Sequence, residues 1–281
     1  MSSYLVTGAN RGLGLELTRQ LASLPASKVS KIFATARGDA SKLKEIAEVS
    51  SGRVVIVKLD VTKDATIRQA AAEVEAKLEG KGLDVLINNA GICQYSFGGT
   101  AAMDNLEESF ATNVLGVHYV TRAFIPLLQK GTLKKIANIS SSTTLASITL
   151  ANYAVALPAP AYKISKAAMN ALTVQYALEY EKEGFTIFSL SPGWLRTDLG
   201  GEQGELTLER NRMDSSQRFI LMSGKQRDIS TSTMEFLVHG REEPARIISI
   251  YPFSLDLGML TPSGKSVLRL QLRVMTCGDF Q

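Results

Sequence analysis

Tyr162 stands four residues before Lys166 and downstream of three consecutive serines, Ser140, Ser141 and Ser142. At i and i+4 the two side chains share one face of a helix, and a phenol beside an ammonium is a means of moving a proton to or from a carbonyl oxygen. A free tyrosine titrates near ~10, so acid/base work at neutral pH requires roughly 4 kcal/mol of help. One cation at about 4 Å, in an effective dielectric of about 20, supplies about that much. Near its start the chain carries Thr7-Gly8-Ala9-Asn10-Arg11-Gly12-Leu13-Gly14. Glycines spaced in this way let the backbone approach a pyrophosphate closely, while a following helix offers N–H donors and a partial positive charge. The two features together imply oxidoreductase chemistry on a nicotinamide dinucleotide.

Short β-rich apolar runs alternate with segments of helical period, and this is what positions those residues. Strands are expected at 4–7, 31–36, 54–59, 85–88, 135–139 and 185–190, and helices at 13–24, 41–49, 64–78, 106–128 and 161–183. Continuously apolar runs such as Val54-Val55-Ile56-Val57 fit strands buried on both faces. The fold class that follows is α/β: a three-layer, doubly wound parallel sheet of Rossmann type in a single domain. Residues 1–200 form its dinucleotide-binding and catalytic core, and residues 201–281 are an atypical C-terminal segment that covers the substrate. Leu206 to Met213 is a fair helix there, and either Arg246 to Ile250 or Ser266 to Val274 is the last strand.

Asp60 follows the third strand and Asn88-Asn89-Ala90-Gly91 the fourth, so both lie at carboxyl ends of neighbouring strands, where such a sheet binds its ligand. The cofactor contacts expected on these grounds are Gly8, Asn10, Arg11, Gly12, Leu13 and Gly14 from the loop, with Asp60, Asn89 and Gly91. An acid at the end of strand two suits NAD, whereas the 2′-phosphate of NADP needs a cation. Strand two ends Thr35-Ala36-Arg37, and Arg11 can approach the same phosphate, which favours NADP(H) over NAD. Asp39 on the ribose is the competing reading, with helix capping the plainer role for that residue.

These motifs, with Asn113, Asn138-Ile139-Ser140-Ser141, Pro192-Gly193 and Thr197, occur in an order that resembles the short-chain dehydrogenase/reductase family over Tyr4 to about Gly200. Within that family the chain is most similar to carbonyl and ketone reductases, including ketoreductases of fungal secondary metabolism. The resemblance implies Ser141, Tyr162 and Lys166 as catalytic residues and places Asn113 in a proton-relay position where it distorts a helix. It implies that Tyr162, Lys166 and Pro192 also touch the cofactor, that the Leu195 backbone and the Thr197 hydroxyl grip the carboxamide, and that Arg122 lies near the cofactor. Ser140 and Ser142 are rivals of Ser141, as is Thr149 if the family's shorter serine-to-tyrosine spacing were enforced. The surplus residues around 150–160, with Pro158 and Pro160, read as an enlarged loop at the pocket mouth. Tyr95, Phe97 and Trp194 are candidates to line an apolar pocket, which gives a hydrophobic ketone, aromatic or polyketide-derived, a mild preference. The family also implies a homodimer or homotetramer through segments 106–128 and 161–183.

Composition excludes several other classes. The chain has 281 residues, 45% of them hydrophobic and 21% charged, enough for one large core without an evident linker. Cys93 and Cys277 form no disulfide framework, and His118 and His239 no metal-ligand spacing, so metal is not expected. The net charge of +4 is scattered, so nucleic acid is not expected as a partner. No apolar run is long enough to span a bilayer, and a first strand at Tyr4 leaves no room for a leader, so a cytoplasmic enzyme with a small carbonyl substrate is expected. A catalytically silent dinucleotide-binding regulator, or a lyase or epimerase on the same scaffold, are the rival readings.

Overall fold

The computed structural model describes residues 1–141, 158–202 and 204, and the backbone of 220–223. All of these belong to one unit, Met1–Ile248; the second unit, Ser249–Gln281, lies outside the described residues. Strands β1 (Ser2–Val6), β2 (Val29–Ala36), β3 (Val54–Lys58), β4 (Val85–Asn88), β5 (Lys135–Ile139) and β6 (Thr186–Ser191) follow the expected runs closely, and β7 (Ile220–Ser223) joins the sheet beside β6. Its order is β3-β2-β1-β4-β5-β6-β7. The first six strands are parallel throughout. Strand order reverses between β1 and β4, and the crevice at their carboxyl ends is where a doubly wound sheet takes a ligand.

Alternation along each strand divides the core in two. Tyr4, Val6, Ile32, Ala34 and Ala36 face Leu15, Leu17 and Leu21 of α1 (Gly12–Ser23) and Leu43 and Ile46 of α2 (Ser41–Glu48). Leu5, Phe33, Val57 and Leu86 point the other way, onto Ile67, Ala70 and Val74 of α3 (Asp64–Leu78) and Val120 and Phe124 of α5 (Gly116–Gln129). Both faces of the central strands are thus apolar, which is why their sequences show no polar alternation. Helix α6 (Pro160–Glu179) opens with proline at its first position, where the missing N–H is no loss. At the amino end of β4 the carboxylate of Asp84 accepts from the Ser3 amide (2.8 Å) and from the Thr132 amide (2.8 Å) and hydroxyl (2.7 Å), joining β1 to the approach of β5.

Two local features depart from a regular reading. The segment expected as one helix over 106–128 is α4 (Leu106–Phe110), a π turn over Ala111–Leu115, and α5. The seventh strand, β7, pairs antiparallel with β6. An antiparallel neighbour can join a sheet edge without the crossover helix that a parallel one requires. The expected helix at 206–213, both candidate last strands and most of the loop at 150–160 lie outside the described residues.

Candidate active site

The glycine loop leaves β1 and is clamped from β4. Asn89 donates from Nδ2 to the carbonyl oxygens of Thr7 (2.9 Å) and Gly8 (3.0 Å), while the Thr7 hydroxyl accepts from the Asn89 and Ala90 amides (2.9 and 3.0 Å). Gly8 has φ +62°, and a Cβ on Gly14 would lie 2.4 Å from the Gly8 carbonyl oxygen and 2.5 Å from Asn89 Nδ2. Helix α1 starts here with no side-chain cap and no acidic residue in its first turn. Its first amides therefore keep their hydrogen-bonding capacity and their positive field for an anion. That fits a dinucleotide pyrophosphate. Thr197 packs on the loop 3.6 Å from the position of a Gly12 Cβ.

At the carboxyl ends of β2 and β3 lie the residues expected to meet the far end of a dinucleotide. Arg37 is exposed at the end of β2, close enough to Asp60 to act on it electrostatically. Burial works against ionisation of Asp60, but hydrogen bonds from the Thr62 side chain and amide, with the charges of Lys63 and Arg37, hold its pKa below the usual carboxylate range. Asp39 accepts from the Ser41 amide (3.0 Å) and hydroxyl (2.8 Å), so its carboxylate caps the start of α2. Asn10 donates to the Asp39 carbonyl oxygen at 3.1 Å, tying the two loops together. Arg11 pairs with Asp198 at 2.9 Å.

The groups expected to do chemistry do converge. Ser141, just past β5, hydrogen-bonds the Tyr162 phenol. Tyr162 and Lys166 are 8% and 4% exposed, and the Lys166 ammonium lies 5.9 Å from the Tyr162 ring centroid and donates to the Ile139 carbonyl oxygen at 2.6 Å. Ser140 turns away, donating to Asn170 Oδ1 at 2.7 Å; Ser142 and Thr149 lie outside the described residues. Gly91 is close by: a Cβ there would meet Asn113 Oδ1 at 3.1 Å and Lys166 Nζ at 3.6 Å. Asn113 is fully buried in the π turn. Its Oδ1 accepts from the Ile92 amide (2.9 Å), and its Nδ2 donates to the Ile92 carbonyl oxygen (2.9 Å) and to Ser165 Oγ (3.0 Å). Both amide protons are thereby committed.

Electrostatically the site differs from the sequence expectation. Lys166 was to lower the phenol's pKa, but in the protein alone burial of Tyr162 raises it, Cys93 and Tyr95 act in the same direction, and only the Ser141 hydrogen bond opposes them. Burial also pulls Lys166 down to about 8. Burial makes a phenol harder to ionise and a nearby cation makes it easier; in the protein alone burial prevails, and the Tyr162 pKa lies above its ordinary value. Cys93 was not singled out as a site residue. It sits beside both Lys166 and Lys163, and burial pushes its thiol up to about 11. Its position two residues past Gly91 was the available signal.

Beyond β6, Gly193 takes φ +80° and the chain folds back on itself. The Gly200 amide donates to Thr197 Oγ1 at 3.1 Å, the Trp194 indole donates to the Gly200 carbonyl oxygen at 2.8 Å, and Leu195 is buried. Arg122 lies over the Tyr119 ring at 5.4 Å and beside His118 and Tyr176, on the flank of α5 and α6. Among the described residues no group of three His, Cys, Asp or Glu side chains is arranged to hold a metal, and no helix is long and apolar enough to cross a membrane.

The fold and this arrangement define a dinucleotide-binding oxidoreductase scaffold, and residues 3–206 match the family model described as short chain dehydrogenase. The chain belongs to the short-chain dehydrogenase family. Among relatives, it is 37% identical over 212 residues to the short-chain dehydrogenase/reductase atnB of an Arthrinium species, covering 70% of this chain and 76% of that one. It is 31% identical over 211 residues to the short-chain dehydrogenase anuI of Penicillium roqueforti, covering 73% and 83%. Among solved structures it resembles the NADPH-bound carbonyl reductase from chicken fatty liver (TM-score 0.66, 35% identity, 74% and 83% covered). It also resembles the carbonyl reductase Sniffer of Drosophila melanogaster (TM-score 0.66, 31% identity, 74% and 87% covered).

Proposed function

We propose that the protein is an NADP(H)-dependent carbonyl reductase of this family, reducing a ketone or aldehyde, or oxidising the matching alcohol. The observation that carries the reading is the convergence of three groups: the buried Tyr162 phenol, hydrogen-bonded to Ser141, with the Lys166 ammonium 5.9 Å from its ring centroid. Likeness to carbonyl reductases, one of them NADPH-bound, supports both the reaction class and the cofactor.

The cofactor, when bound, supplies hydride to the carbonyl carbon. Ser141 holds the carbonyl oxygen by a hydrogen bond, and Tyr162 gives its phenolic proton to that oxygen as charge develops there. Lys166 then stabilises the tyrosinate and holds the ribose hydroxyls. Gly8, Asn10, Arg11, Gly12, Leu13 and Gly14 cradle the phosphates, and Arg37 with Arg11 faces the 2′-phosphate, the role for which NADP is preferred over NAD. Asp60, Asn89 and Gly91 line the adenosine and ribose side, and Pro192, Leu195 and Thr197 the carboxamide. Asn113 positions Ile92 and α6; because its side chain is committed, any water it holds for a proton relay falls to its main chain. The oligomer belongs to the same reading. Leu115, Ile164 and Leu178, on or next to α5 and α6, are exposed at 43%, 43% and 63% and suit a homodimer or homotetramer interface.

Tyr162→Phe tests the scheme, because it removes one hydroxyl and leaves the ring's packing. Turnover of a ketone panel with NADPH is expected to fall by about 10²–10⁴-fold, the usual worth of a positioned acid, while NADPH affinity by titration calorimetry changes by less than about threefold. Turnover near the wild-type rate refutes the assignment of the acid.

A further inference from the structure

We infer that the stacked rings of Tyr95 and Phe97 form a shelf that selects a planar aryl ketone as substrate; this deepens the carbonyl reductase reading and rests on it. The rings lie 5.7 Å apart at 24°. They are 39% and 85% exposed, and Phe97 is the most exposed large apolar side chain among the described residues. An aromatic residue retained for packing buries its ring, and Phe97 does not. Stacked on Tyr95, which itself lies near Tyr162, the exposed ring extends an apolar surface that a ligand can cover.

The shelf is fixed to the catalytic elements at both ends. Ile92 is held through its amide and carbonyl by Asn113 at 2.9 Å each, and Asn113 in turn bonds Ser165 of α6. The Ser96 amide donates to the Pro158 carbonyl oxygen at 2.7 Å, four residues before Tyr162. Gln94 turns outward to Glu108 at 2.9 Å. Tyr95, between the two staples, is close enough to Cys93 to feel it electrostatically and close enough to Tyr162 to act on its ionisation. The shelf therefore runs outward from the reacting phenol, through Tyr95, to Phe97. A flat aryl group attached directly to the reacting carbonyl would lie on this preformed pair in the offset arrangement that aromatic rings favour. An alkyl ketone gains only the area it covers.

The test compares wild type and Phe97→Ala with NADPH on 2-acetylnaphthalene and on 2-butanone. It also measures the dissociation constant of 2-acetylnaphthalene by equilibrium dialysis against the protein with NADP⁺, where no turnover occurs. The ratio of kcat/KM values, aryl over alkyl, is expected to fall about tenfold in Phe97→Ala, mostly through KM, with a similar weakening in dialysis, as loss of a stacking partner implies. A ratio and a dissociation constant both within twofold of wild type overturn the shelf. If wild type reduces neither ketone, the carbonyl reductase reading fails on these substrates, and dialysis still decides the shelf.

Discussion

Asp198 holds the guanidinium that the NADP reading assigns to a phosphate. The Arg11–Asp198 pair spans from the glycine loop to the segment after β6 at 2.9 Å, with side chains 62% and 70% exposed. An exposed pair of this kind is worth at most about 1 kcal/mol, so the carboxylate can compete with the 2′-phosphate by only a few-fold. Asp198→Asn is therefore expected to lower the KM for NADPH about two- to fivefold at low salt and to leave NADH unchanged, measured by initial rates; an equal effect on both cofactors would remove the phosphate role from Arg11. At this scale the sequence was uneven. Tyr162, Lys166 and the glycines were legible because their spacing is local, within one helix or one turn. The burial that raises the Tyr162 pKa was not, because it depends on what packs around the phenol. Cys93 and Asp198 were missed because each is defined by a partner distant in sequence.

Gly14 shows how one turn depends on the element beside it. Its missing Cβ leaves room for the Gly8 carbonyl oxygen and for Asn89 Nδ2, which arrives from the end of β4. Gly14→Ala pushes backbone and clamp apart, a clash of the overpacking kind that costs about 1–3 kcal/mol. The expected result is a drop in Tm of roughly 3–10 °C, by the usual conversion for chains of this size, together with loss of dinucleotide binding in calorimetry. An unchanged Tm and affinity would mean that the loop relaxes freely and is no cradle. The first six strands were readable because both of their faces are buried and their apolar runs are continuous. β7 was not, since its place is set by an open edge beside β6. The π turn was equally invisible to periodicity, although the resemblance that put Asn113 in a distorted helix anticipated it.

For the molecule as a whole, a ligand that binds only the folded protein raises its stability by mass action. At about 100 times its dissociation constant the gain is about 2.7 kcal/mol, which for a chain of this size raises Tm by roughly 5–10 °C. NADPH at that concentration is expected to give such a shift in calorimetry and NADH at the same concentration less than half of it; equal shifts would sink the preference for the phosphorylated cofactor. The π turn also has a consequence for the architecture. A residue added to an α-helix rotates what precedes it by about 100° and advances it by about 1.5 Å, so α4 and α5 present their faces at different azimuths. The first leans on α6, and the second on β4 and α3. Deleting any one residue of 111–115 would restore an ordinary helix and swing α4 off its neighbour, so a one-residue gap here is a larger change than many substitutions, and chain length through this stretch is as strictly specified as side-chain identity.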